Sequence, residues 1–313
     1  IVPDSPAAGR SAARSCRISS WFSSDAAGAT LPVRKYHDFK GAAMQMPIVV
    51  GAVLYDPKVS LIWDIIRDFF AQNGCPIDVV FYTNYERQVH ALKHGHIDIA
   101  WNSPLAWVQL ERETQGKCRA IAMRDTDQDR VSHLVVPSGS EIHTTEDLRG
   151  KTVAVGAADS PQATLIPIAL VQRAGLVPGV DFQVQRFDVL VGKHGDHVGG
   201  ELQALQSMMS NNADACAMLD LNWNQWTTDG TINPGEYRIL ATTDPFDHCV
   251  FAVREDFDPQ RERQWLDVLF SMSYDNPQHR EMMDLEGLRQ WMPGRKSGFG
   301  PLSEAVEGQA YFG

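Results

Sequence analysis

Between residues 47 and 102 the chain alternates short β-branched runs with segments of helical period: IVVGAV, DPKVSLIWDIIRDFF, IDVVFY, YERQVHALKHG and IDIAW. A strand–helix–strand–helix–strand order of this length predicts a parallel sheet with right-handed crossovers. In the first helix Asp56 stands as the cap and Pro57 at the first position. Val59, Ile62, Ile66 and Phe69 recur at the spacing of one buried face. Gly95 closes the second helix.

The same grammar then repeats without a sequence repeat. CRAIAMR and VSHLVVP read as strands, HTTEDLRGKTVAVG opens a second unit, and DFQVQRF, ELQALQSMMSN and ADACAML continue it as strand, helix and strand. EYRILATT runs toward CVFAVRED, and two helical stretches follow. The class expected is α/β with two lobes, each a mixed sheet flanked by helices. The chain would cross between them twice, near 133–137 and 240–246. That assigns 46–135 plus 242–313 to lobe 1 and 136–241 to lobe 2. A ligand would sit in the cleft, where strand C-termini and helix N-termini meet. Residues 1–45 are rich in Ala, Ser, Arg and Gly and show no period. They read as a tail or leader outside the core fold.

Charge and cysteine usage narrow the partners. A formal net charge of −11 over 313 residues argues against nucleic acid and anionic membrane. No apolar run is long enough to cross a membrane. The five cysteines are dispersed and form no CxxC pair, so neither a disulfide scaffold nor a zinc ribbon is expected. Cys118, Cys216 and Cys249 lie in apolar runs and read as buried small hydrophobes. P-loop, dinucleotide and nucleophile-elbow motifs are absent. A monomer or weak dimer is expected.

Several residues can line the cleft, each with a structural alternative. SPQATLIPIALVQRAG, residues 160–175, follows the strand KTVAVG. Ser160 is its N-cap and Pro161 its first helical residue, and such a terminus can seat an anion. The alternative is a plain cap. Tyr55 follows the first strand and can line the cleft or staple the helix entry. Asn102 and Ser103 offer short donors at a strand end, and Trp101 before them is either cleft wall or core. Asp220 can meet a ligand amine or hydroxyl, or cap the next helix. In VGKHGDHVGGE, residues 191–201, three readings stand for His194, Asp196, His197 and Glu201: a divalent-metal site, a lid closing over an anion, or a plain glycine loop. His248 can add a ligand from the hinge side. No cofactor is expected, apart from that divalent metal.

Taken in order, three runs resemble the phosphonate- and phosphite-type substrate-binding proteins of ABC transporters. They are HALKHGHIDIAWNSPLAWV, SEIHTTEDLRGKTVAVGAADSPQATLIP and DPFDHCVFAVREDFDP. The resemblance spans about residues 47–300. It implies a type II periplasmic-binding fold, a small anionic ligand, a permease partner and no catalysis. It also implies a periplasmic location, whereas a start at Met44 or Met46 would leave the chain cytoplasmic. The family's S-T-S-G anion seat falls on Ser160, Pro161, Gln162 and Ala163, with Thr164 next. Only Ser160 keeps its hydroxyl, and Pro161 has no N–H to donate. Glu201 falls where the family carries a His. The alternatives are a metal-dependent enzyme or a cytoplasmic ligand- or metal-sensing module on the same fold.

Overall fold

The computed structural model describes residues 46–194 and 200–313. The expected tail, 1–45, lies outside the described residues.

β1 (Ile48–Val53) is buried along nearly its whole length, as an unbroken apolar run in a parallel sheet must be. It pairs in parallel with β2 (Ile77–Tyr82) and β3 (Ile99–Asn102). The crossovers are α1 (Lys58–Gln72) and α2 (Tyr85–Lys93). Asp56 Oδ1 accepts from Lys58 N at 2.8 Å at the start of α1. The buried face of α1 uses Phe70 rather than Phe69, which is only partly covered. After α3 (Pro104–Glu113) and β4 (Cys118–Arg124) the chain enters the second lobe. That lobe contains β5 (Ser132–Pro137), β6 (Thr152–Val155), α4 (Ile166–Arg173), β7 (Gln183–Arg186), α5 (Glu201–Met209), β8 (Ala215–Leu219), α6 (Asp220–Thr228) and β9 (Tyr237–Thr242). The return supplies β10 (Val250–Arg254), α7 (Pro259–Phe270), α8 (Pro277–Glu286), β11 (Trp291–Pro293) and α9 (Gly300–Gly308).

Two mixed sheets result, ordered β11-β4-β10-β3-β1-β2 and β7-β6-β8-β5-β9. They share one plan. In each, the strand arriving from the other lobe, β10 or β5, lies antiparallel beside the third parallel strand, β3 or β8. The two-lobed α/β class expected from the sequence is the one observed.

The boundaries differ at both crossings, most at the first. All of β5 pairs within the second sheet, so a division at 135 would cut a strand. By sheet membership the crossings are 125–131 and 243–249. VSHLVVP reads as a strand from its own residues, but its partner is set by contacts about a hundred residues away. The two crossing segments pair with each other. Arg130 N donates to Phe246 O and Phe246 N to Arg130 O, both at 2.7 Å. One apolar cluster also spans the lobes, joining Val53, Tyr85 and Leu105 to Leu165, Ile166 and Leu219. Among the described residues no helix is long and apolar enough to cross a membrane, and the thiols of Cys75, Cys118, Cys216 and Cys249 are all buried and outside any disulfide.

Candidate functional site

The segment after β6 does not begin as a regular α-helix. Pro161–Leu165 forms a wider π-helical turn that runs into α4. Pro167 has no N–H for the carbonyl of Ala163, which accepts from Gly156 N instead, at 3.1 Å. Ser160 caps the turn, its Oγ accepting from Ala163 N at 3.2 Å. The Gln162 carbonyl accepts from Ser132 Oγ at 2.6 Å. Ser160, Gln162, Ala163 and Thr164 are all buried. Thr164 Oγ1 has no hydrogen-bond partner among the described residues.

On the first lobe β3 ends at Asn102, and Ser103 caps α3 by accepting from Ala106 N at 3.1 Å. Gln88, from α2, donates to Trp101 O at 2.7 Å and Asn102 Oδ1 at 2.9 Å. This fixes the Asn102 carboxamide, whose Nδ2 is buried without a partner among the described residues. The Trp101 ring belongs to the core: it packs 4.5 Å from Phe251 and 5.9 Å from Trp291, with the Arg124 guanidinium 5.2 Å from its centroid. Tyr55 is half-buried against the same cluster.

Residues 192–194 tie the lobes together. Asp159 Oδ2 accepts from Gly192 N at 2.6 Å and His194 N at 3.1 Å. Lys193 Nζ donates to the carbonyls of Leu54, at 2.7 Å, and Thr83. The buried His194 ring stacks on Tyr85, centroids 4.7 Å apart. Its Nδ1 lies 2.5 Å from Ser103 Oγ and its Nε2 3.6 Å from Glu86 Oε1. That contact with His194 holds the Glu86 carboxyl below its ordinary range. Asp196 and His197, the other two expected members of a metal group, lie outside the described residues.

Glu201 is fully buried at the first position of α5. Gly200 before it has φ +84°, and a Cβ there would collide with the Phe187 carbonyl, so only glycine serves. Glu201 Oε2 accepts from Leu219 N at 2.8 Å and Asn222 Nδ2 at 2.6 Å. Burial outweighs these bonds and pushes the carboxyl up to about 7. Asp220 faces Arg130, Oδ2 to Nη1 3.3 Å. His248, also buried, lies in the second crossing with Nδ1 3.5 Å from Asp127 Oδ1 and 3.1 Å from Cys249 Sγ. Burial alone would raise the Asp127 carboxyl. The Arg124 guanidinium, at 2.6 and 2.9 Å, and His248 reverse this and hold it well below the usual carboxylate range.

Sequence reasoning missed Gln88, Asp159, Lys193, Tyr85 and the Arg124–Asp127 pair. Asp159 precedes a cap and Gln88 sits mid-helix, where polar residues ordinarily meet solvent. Only the fold turns them inward.

Two lobes with buried polar groups at strand and helix ends, joined by two crossings, define a binding protein of the hinged two-lobed class. A family model described as ABC transporter, phosphonate, periplasmic substrate-binding protein matches residues 58–299, and the chain belongs to that family. The family is one of transport proteins rather than enzymes. Solved structures share the fold. XAC2383 from Xanthomonas citri, solved with a chloride ion, is 19% identical, with a TM-score of 0.65 over 85% of this chain and 99% of that one. PhnD1 from Prochlorococcus marinus, solved with methylphosphonate, is 17% identical, with a TM-score of 0.62 over 84% and 98%. The aliphatic sulphonate binding protein SsuA from Escherichia coli is 14% identical, with a TM-score of 0.53 over 85% and 87%. A curated, uncharacterized protein of Haemophilus influenzae is 61% identical over 31 residues, and the chain spans 44% of its length.

Proposed function

We propose that this chain captures a small oxyanion or zwitterion between its lobes on the outer side of a membrane and hands it to an ABC-type permease in that membrane. The observation that carries this reading is the pair Asn102 Nδ2 and Thr164 Oγ1, one from each lobe. Both are buried at element ends and both lack a partner among the described residues. A buried donor without a partner costs about 1–3 kcal/mol, which a ligand oxygen would offset. Glu201, its carboxyl raised to about 7 by burial, would be part protonated near neutral pH and in that form would donate from Oε1 to a ligand oxygen. The crossings 125–131 and 243–249 would act as the hinge, with lobes 46–124 plus 250–313 and 132–242 closing on the ligand.

The test is a thermal-shift panel of phosphate, phosphite, methylphosphonate, alkyl sulfonates and carboxylates, run with and without chelator. Binding to the folded state raises the melting temperature by mass action. A chelator-insensitive rise with one oxyanion class, accompanied by compaction in solution scattering, is expected. No response across the panel, or a response only with added metal, overturns the reading.

A further inference from the structure

The run HALKHGH carries three imidazoles that have no role in the cleft. His90 lies in α2, His94 is that helix's C-cap, and His96 follows two residues on. Four residues apart on one helix, His90 and His94 share a face. Gly95 then adopts φ +73°. Gly95 N donates to Leu92 O at 3.1 Å and His96 N to Ala91 O at 2.9 Å, the bonds of a left-handed helix stop. This reversal brings His96 back beside the other two. The ring centroids are 4.1 Å (His90–His94), 6.2 Å (His94–His96) and 6.4 Å (His90–His96) apart.

We infer that His90, His94 and His96 form a surface site for one borderline divalent cation of the zinc, nickel or copper class. With metal–nitrogen bonds of about 2.0–2.1 Å, tetrahedral coordination puts imidazole centroids roughly 5.3 Å apart. The three observed separations bracket that value; the ring nitrogens do not all lie within 4.8 Å of one another as they stand, so binding requires the exposed side chains to rotate toward a common ion. The tautomer of His94 already suits a ligand. Its Nδ1 lies 2.8 Å from the carbonyl oxygen of His90. A carbonyl can only accept, so Nδ1 carries the proton and, in the neutral ring, Nε2 presents its lone pair. A backbone carbonyl on the outer nitrogen is the usual device that orients a metal-binding histidine. All three rings are exposed, so a cation reaches them from solvent, and imidazole donors favour zinc, nickel and copper over magnesium or calcium.

The site is separate from the cleft. His96 precedes β3, whereas Asn102 and Ser103 stand at its far end, roughly 20 Å along extended chain. It is also distinct from the buried Asp127, His248 and Cys249, where Arg124 holds both Asp127 oxygens.

Zn²⁺ titrated into the full chain by calorimetry tests this. One equivalent is expected to bind. His94→Gln is expected to weaken it by more than about tenfold. The triple variant His90→Gln, His94→Gln and His96→Gln should abolish it, while His143→Gln, at an exposed histidine elsewhere, should leave it unchanged. Co²⁺ should give a visible spectrum that the triple variant lacks. No binding to the unsubstituted chain, or binding that survives in the triple variant, overturns the site. The triple variant should respond to the oxyanion panel as the parent does, so failure of one reading is distinguishable from failure of the other.

Discussion

His194 Nδ1 lies 2.5 Å from Ser103 Oγ, although 91 residues and the boundary between lobes separate them. Ser103 caps a helix of the first lobe, and His194 is held from behind by Asp159 of the second, next to the cap Ser160. One imidazole therefore ties the N-terminal ends of two helices from opposite lobes.

That contact has a measurable coupling. Ser103→Ala and His194→Ala, singly and together, form a double-mutant cycle in urea denaturation. An interaction energy of about 1–2 kcal/mol is expected, the size of one good hydrogen bond between adjacent groups. In solution scattering His194→Ala should enlarge the ligand-free protein, because the stacking on Tyr85 and the hydrogen bond are lost together. Additive energies and an unchanged radius would mean the lobes are held by the apolar cluster alone.

Thr164→Val separates a binding role from a structural one. The hydroxyl of Thr164 has no partner among the described residues, so its loss costs the folded state little. The variant should melt at the same temperature as the parent or slightly higher. Its affinity for whichever oxyanion the panel selects should fall by about tenfold, one hydrogen bond to a charged group. Calorimetry reads the second quantity. Unchanged affinity would remove Thr164 from the site.

Glu201 makes stability depend on pH in an unusual direction. Its carboxyl is raised from the ordinary 4.5 to about 7 by burial, so in that window the folded chain binds more protons than the unfolded one. This contribution therefore falls as pH rises from 4.5 to about 7 and is level above that. Glu201→Gln retains an acceptor for Leu219 N and Asn222 but does not titrate. Relative to the variant, the parent should lose a few kcal/mol across this window, on the order of 3 by the size of the shift. Urea denaturation from about pH 4 to about pH 8 measures the difference. Parallel curves for the two proteins would place Glu201 in contact with water.

How much of this was legible in the sequence follows from the range of the interactions concerned. The first three strands and the two helices between them are coded locally. IVVGAV and IDVVFY carry β-branched runs, Asp56 and Gly95 mark helix ends, and nothing distant is needed to read them. The two-lobed class and the family also come from residues in order along the chain. The candidate ligand groups Asn102, Ser103, Ser160 and Thr164 were visible because each stands at an element end that composition announces. The π-helical start at Pro161–Leu165 departs from the regular helix start that Ser160 and Pro161 predict, and Pro167, which cannot donate to the Ala163 carbonyl, is the local residue consistent with it.

What only the tertiary structure decided are the relations between distant segments. β5 joins the second sheet because β8 and β9 flank it, which shifts the crossing from 133–137 to 125–131. Trp101 faces the core and not the cleft because Phe251, Trp291 and Arg124 close around it from the returning strands and β4. Glu201 is a buried carboxyl pinned by Leu219 and Asn222, not a solvated helix start. The physical reason is common to all three. Propensity and capping act within a few residues and leave a mark in the local sequence, whereas burial, strand partnership and charge pairing depend on which remote residues the folded chain brings alongside.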